Sequence, residues 1–214
     1  MNDKTTTMFP DIVGQDKAKK KLQFFHRGYE ASGIIPHLMF IAPKGCGKTT
    51  LAKAIGRQLK SSETGKAKRF LEINCSTIKN VKQFFNQVIV PHVANKECTI
   101  LFDEASELPK DVTMMLLTCL NPNENNRNEF AYEDYVVDFD FRIHSFLFAT
   151  TEAHKIFHAL MDRCERVDLE EYSYNDLSKI ISLTTSANFK DGVLDELAPV
   201  LRGNARAAQK MANH

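Results

Sequence analysis

Ala42-Pro43-Lys44-Gly45-Cys46-Gly47-Lys48-Thr49-Thr50 decides the fold. It follows a short apolar run, residues 37–41 (HLMFI), and precedes Leu51, Ile55 and Leu59 at helical spacing. That order predicts a buried strand, a glycine-rich turn and a helix. Gly45 and Gly47 let backbone N–H groups approach phosphate oxygens without Cβ interference, at the positive end of a helix dipole. Lys48 then reaches the β- and γ-phosphates and the Thr49 hydroxyl holds Mg²⁺, while Pro43, Lys44, Cys46 and Thr50 complete the cradle. Ala42 stands where such loops usually begin with glycine. Its role is the turn itself, so binding is expected to survive.

A phosphate loop without a metal carboxylate would be only a turn, but a partner follows. Residues 99–102 (TILF) read as a buried strand that runs into Asp103-Glu104. An aspartate there can hold Mg²⁺ through water, and the adjacent glutamate can orient and polarise an attacking water. The pair predicts a chain that binds and hydrolyses a nucleoside triphosphate, with ATP and Mg²⁺ as cofactors.

Further out, strands are expected at residues 69–73, 145–149 and 166–169, giving a five-stranded parallel sheet covered by helices. Ala18, Leu22, Phe25 and Tyr29 mark a first helix that Gly33 stops, and a second is expected over 48–60. Residues 61–68 read as a polar, mobile loop. Val81, Phe84, Phe85 and Val88 mark a helix that Pro91 ends or bends, and Pro109 opens another through Met115 and Cys119. Between 128 and 141 the period changes to two, Val137, Phe139 and Phe141 alternating with Asp138, Asp140 and Arg142, which predicts an inserted β-hairpin. From Tyr172 onward the signal is helical only: Leu177, Ile180 and Ile181, then Val193, Leu194 and Leu197. That stretch is too short for a core of its own and is expected to be a lid.

Composition narrows the function. The 214 residues carry 28 Lys+Arg against 27 Asp+Glu, a formal charge of +1. No strong bulk attraction to nucleic acid is therefore predicted, and DNA contact would need a local patch or a ring of several copies. No run approaches the ~18 apolar residues of a membrane span, and the N-terminus lacks a signal-peptide core. Five scattered cysteines without a C-x-x-C pair predict free thiols in a reducing compartment, the cytoplasm. His154 and His158, spaced i,i+4 on an expected helix, have no third ligand. The Lys17-Ala18-Lys19-Lys20-Lys21 run reads as the wet face of the first helix.

With these motifs in place, the sequence resembles the AAA+ ATPases over nearly its whole length. The resemblance implies a P-loop NTPase core over residues 1–170 and a small C-terminal helical lid over 171–214, incomplete at His214 and without a winged-helix domain. Phe9-Pro10-Asp11-Ile12-Val13-Gly14-Gln15 is similar to the family's N-terminal box, so Ile12 and Val13 are implied to line the adenine pocket. Asn74 stands where a polar switch can restrain the catalytic Glu104. Thr150 or Thr151 stands at sensor 1. Met161-Asp162-Arg163-Cys164 resembles the arginine-finger segment, which offers Arg163 to the nucleotide of a neighbouring subunit. Arg202-Gly203-Asn204-Ala205-Arg206 resembles sensor 2, with Arg206 on the nucleotide.

Within the family the chain resembles the RuvB branch of Holliday-junction motors, through Phe148-Ala149-Thr150-Thr151, the hairpin and the G-x-x-R lid motif. This implies a homo-oligomeric ring, a hexamer, acting on branched DNA in recombination or repair. A protein partner would dock on the hairpin, residues 130–141, with Tyr132, Tyr135 and Phe139 as contacts. The alternative, a clamp-loader or helicase-loader subunit of DNA replication, draws on Asp162-Arg163-Cys164 and Ile35-Pro36-His37-Leu38.

Overall fold

The computed structural model describes residues 8–184, 192, 193, 196, 198–201 and 203–212. Five strands, β1 (Leu38–Ile41), β2 (Arg69–Asn74), β3 (Cys98–Asp103), β6 (His144–Thr150) and β7 (Glu165–Asp168), form one sheet. Its order is β2-β3-β6-β1-β7, and every pairing is parallel. Strands β4 (Arg127–Tyr132) and β5 (Tyr135–Asp140) form a separate antiparallel hairpin.

Alternation builds the two faces of the sheet. Met39, Ile41, Ile100, Phe102, Phe146 and Phe148 point into one core, closed by α3 (Val81–Phe84), α4 (Lys110–Cys119), α5 (His158–Met161) and the hairpin. The rings of Phe102 and Phe148 stack there at 4.9 Å. Leu38, Phe40, Leu101, Leu147 and Ala149 point the other way, against α1 (Asp16–Ser32) and α2 (Lys48–Gly56). A small third core joins α6 (Tyr174–Thr184) to α7 (Ala205–Ala212) through Leu177, Ile180, Ile181, Leu201 and Ala208, with Val13 packed against it.

All five expected strands are present, and Gly33 ends α1 as expected, its N–H donating to the Tyr29 carbonyl at 2.8 Å. Several expectations are corrected. Helix α2 stops at Gly56 rather than at Lys60. A Cβ on Gly56 would sit 2.3 Å from the Phe70 ring, so the helix end is pressed onto β2 and the chain turns away. Residues 61–68 close as a turn instead of running free: Lys60 bridges Ala67, and the Ser61 N–H donates to the Lys66 carbonyl at 2.8 Å. The helix at Val81 is α-helical for one turn and continues as a π-helical run, Phe85–Val93, that contains Pro91. Proline brings no N–H to the ordinary ladder, and the wider register is closed by Ala94 N–H on the Ile89 carbonyl at 2.8 Å.

The hairpin packs onto this run, with the Phe85 ring 5.0 Å from that of Tyr132 and 6.0 Å from that of Tyr135. Phe139 is wholly buried in the core and is unavailable to any partner; Tyr135 and Val136 are the exposed hydrophobic residues of the hairpin. His154 and His158 do not share a helix. His154 lies in the 3₁₀ turn Ala153–Lys155, and His158 opens α5 and meets Asp162 at 2.9 Å. No metal-binding group of three or more ligands occurs among the described residues. The lysine run is the wet face of α1, as expected: Lys17 pairs with Glu170 at 2.6 Å and Lys21 with Glu165 at 3.5 Å. Of the expected helix at Val193, Leu194 and Leu197, the last two residues lie outside the described ones, as does Arg202. No described helix is long and apolar enough to cross a membrane.

Candidate functional site

Parallel strands bring their carboxyl ends to one edge, and the expected chemistry collects there. The glycine-rich loop leaves β1, and Gly47, at φ 87°, opens α2. Gly45 is also left-handed, at φ 86°, a conformation that glycine adopts without steric cost. Lys48 is mostly buried, and its Nζ donates to the Ala42 and Pro43 carbonyls at 2.8 and 2.9 Å. Burial lowers its pKa, and the nearby Arg206 charge acts in the same direction. Cys46 is buried in the same loop, and burial pushes its thiol pKa up.

Asp103 ends β3 beside the loop, and its Oδ2 accepts a hydrogen bond from Thr49 Oγ1 at 3.0 Å. Glu104 follows in the left-handed region at φ 56°, which costs a non-glycine residue on the order of 1 kcal/mol. The chain turns sharply there, so an exposed carboxylate stands directly after the metal-type aspartate.

A cavity of about 430 Å³ opens over the loop. Ile12, Val13, Gly45, Gly47, Lys48, Thr49, Thr50 and Arg206 line it, together with Tyr172, Ile180, Leu183, Thr184 and Gln209. The N-terminal box, the phosphate loop and the lid therefore meet around one space. Of the two candidate sensor threonines, Thr150 is buried at the end of β6, its Oγ1 accepting from the Glu152 N–H at 2.9 Å, and Thr151 is exposed. Asn74 ends β2 in register with Asp103, but its Oδ1 accepts from the N–H and hydroxyl of Ser76 at 3.0 and 2.8 Å. It is engaged locally rather than with Glu104.

Arg163 lies elsewhere. It precedes β7, at the amino end of the sheet, and donates to the Leu117 and Ala159 carbonyls and to Asn121 Oδ1 at 3.1, 2.8 and 3.1 Å. Its own phosphate loop is on the opposite edge.

Three residues at the site escape the sequence reading. Gln15 Nε2 donates to the Glu170 carbonyl at 2.7 Å and the Cys46 carbonyl at 3.4 Å. The Tyr172 hydroxyl lies over Gly47, and the Asn204 carboxamide over Gly45. Gln15 and Asn204 belong to quoted motifs, but spacing cannot reveal that they touch the loop.

A parallel sheet, a strand–loop–helix phosphate cradle and an acidic strand end define a P-loop nucleoside-triphosphatase fold. Residues 38–172 match the family described as ATPase family associated with various cellular activities (AAA), and the chain belongs to that family. It is 29% identical over 194 residues to Lon protease of Metamycoplasma arthritidis, covering 80% of this chain and 23% of that protein. It is 28% identical over 135 residues to Replication factor C small subunit 1 of Pyrobaculum arsenaticum, covering 60% of this chain and 39% of that one. Each curated relative is thus matched over less than half its length. Among solved structures, a RuvB variant of Thermotoga maritima superposes with a TM-score of 0.77 at 21% identity, over 96% of this chain and 63% of that one. The fold is RuvB-like.

Proposed function

We propose that this AAA+ ATPase binds ATP in the cavity above the phosphate loop and hydrolyses it as a ring-shaped motor, a hexamer of this chain, on branched DNA. The observation that carries the reading is the convergence of Lys48, the Thr49–Asp103 pair, Glu104 and Arg206 at one edge of the sheet, with Arg163 at the other. Lys48 and the N–H groups at the start of α2 take the phosphates, Pro43, Lys44 and Cys46 shape the loop, and Ile12 and Val13 face the base. Thr49 and Asp103 form a hard-oxygen pair that suits Mg²⁺, and these two residues would hold it. When bound, the ion would offset phosphate charge. Glu104 orients and activates the attacking water, Thr150 or Thr151 senses the γ-phosphate, and Asn74 is the residue that could restrain Glu104.

The position of Arg163 favours action between subunits, because β1 separates it from its own loop by roughly 10 Å of strand. DNA as the target is supported by the hairpin inserted before β6 and by the RuvB-like fold, in a chain of core (residues 1–170) and lid (171–214). Recombination or repair at Holliday junctions is the setting this implies. The exposed Tyr135 and Val136 are where a protein partner would meet the hairpin. A second reading, a clamp-loader or helicase-loader subunit of DNA replication, is favoured by the Replication factor C relatives and by Asp162-Arg163-Cys164.

Steady-state ATP hydrolysis separates the two. The motor reading expects stimulation by a four-way junction over linear duplex of equal length. Stimulation only by a sliding clamp or a helicase would favour the second reading. No hydrolysis under any of these conditions would overturn both.

A further inference from the structure

A loop that binds anions through its N–H groups must keep its carbonyl oxygens occupied elsewhere. In this chain the donors come from two sources. Lys48 takes the Ala42 and Pro43 carbonyls, and the Leu51 N–H takes that of Gly47 at 2.9 Å within α2. Two more, those of Gly45 and Cys46, are held from outside. The Ala205 N–H, at the start of α7, donates to the Gly45 carbonyl at 3.0 Å, and Gln15 Nε2 donates to that of Cys46 at 3.4 Å.

The outside donors are themselves fixed. The Asn204 Oδ1 accepts the Ala207 N–H at 3.1 Å and so caps α7, while its carboxamide fills the space over Gly45. A Cβ on Gly45 would lie 2.0 Å from that oxygen, and one on Gly47 would lie 2.7 Å from the Tyr172 hydroxyl. Gln15 pairs with the Glu170 main chain as another peptide would: its Oε1 accepts the Glu170 N–H at 3.1 Å, and its Nε2 donates to the Glu170 carbonyl at 2.7 Å. Glu170 is just past β7, where the chain leaves the sheet for α6.

We infer that Gln15, from the N-terminal box, and Asn204, from the lid, are positioning residues that hold the phosphate loop in its anion-binding shape, with Gly45 and Gly47 serving the lid as much as the phosphates. The inference deepens the nucleotide reading above and rests on it for its meaning. It assigns the lid a task separate from the charge of Arg206, namely to keep the loop carbonyls turned away from the cavity.

Cys46 provides the readout, since its buried thiol becomes accessible only when the loop opens. Site-resolved alkylation of the full chain by N-ethylmaleimide, followed by mass spectrometry, reports Cys46 beside the buried Cys75, Cys98 and Cys119. Gln15→Ala and Asn204→Ala should each speed Cys46 labelling about 10-fold, as expected for a local opening, with the other three unchanged. Asn204→Asp, which keeps the cap, should restore the wild-type rate. Arg206→Ala should leave Cys46 labelling at the wild-type rate. An unchanged Cys46 rate in both alanine variants, or a parallel rise at all four cysteines, would overturn the inference. Mg²⁺ with a non-hydrolysable ATP analogue should slow Cys46 in the wild type. If it does not, the nucleotide reading fails while the variant rates still judge the latch.

Discussion

Lys48 and Lys68 sit at opposite ends of one sheet and look alike by the usual measures. Both are largely buried, both donate to main-chain carbonyls, and burial lowers the pKa of both. Their surroundings differ. Lys48 lies in the first turn of α2, beside the Thr49–Asp103 pair and an open cavity. Lys68 precedes β2 at the amino end, donates to the Arg142 carbonyl at 2.5 Å, and lies 5.2 Å from the centre of the Tyr29 ring. Tyr29 in turn donates to the Lys60 carbonyl, and burial raises its own pKa to about 12. Burial and a shifted pKa therefore do not by themselves mark a working residue. What separates the two is that Lys48, among the described residues, lines a cavity beside a metal-type aspartate, and Lys68 does not.

The largest effect expected at either end belongs to Arg163, the amino-end residue assigned to chemistry. Arg163→Ala should reduce hydrolysis by the assembled form about 10³–10⁵-fold and leave nucleotide affinity near normal in titrations. Weakened binding in isolated monomers would break the division between the two ends. Glu104→Gln should lower turnover roughly 10²–10⁴-fold while still binding ATP, which trapping of labelled nucleotide on the protein would detect. Lys68→Met should act on stability alone. Losing the charged hydrogen bond to a buried carbonyl costs about 2 kcal/mol, and thermal melting should show Tm lower by ~5 °C.

A pH-dependent effect concerns His37, also at the amino end, where it packs edge-on against Phe141 at 4.7 Å with its Nδ1 unpartnered. Burial pushes its pKa down to about 4 from an ordinary 6.5. Below pH 6.5 the unfolded chain takes a proton at His37 that the folded chain refuses until about pH 4, so this group costs stability as the pH falls across that window. His37→Leu should flatten the dependence by up to ~1.4 kcal/mol per pH unit in chemical-denaturation series, with no change above pH 7.

The carboxyl edge was far easier to read than the amino edge. Phosphate loops and acidic strand ends are contiguous in sequence, so Lys48, Thr49, Asp103 and Glu104 declared themselves, and apolar runs announced all five strands. Lys68 sits in a polar stretch that reads as loop, and the Lys60–Ala67 bridge, the Tyr29 ring from α1 and the distant Arg142 carbonyl enclose it. Phe139 belongs to a period-two pattern that tells which residues share a face but not which face the core takes. Gln15 and Asn204 act across 31 and 159 positions of chain, to Cys46 and Gly45, beyond the reach of any local pattern. The π-helical run contains Pro91 and packs against aromatic rings from a hairpin some 40 residues later, and Pro91 alone predicted only an end or a bend.

Parallel calorimetric titration of a non-hydrolysable ATP analogue with Mg²⁺ into the wild type, Lys48→Ala and Lys68→Met tests the central claim most directly. The wild type and Lys68→Met should bind alike, and Lys48→Ala should lose on the order of 100-fold in affinity, about 2.7 kcal/mol. Equal binding by Lys48→Ala and the wild type, or an equal loss in Lys68→Met, would contradict the assignment of the carboxyl edge to nucleotide and the amino edge to support.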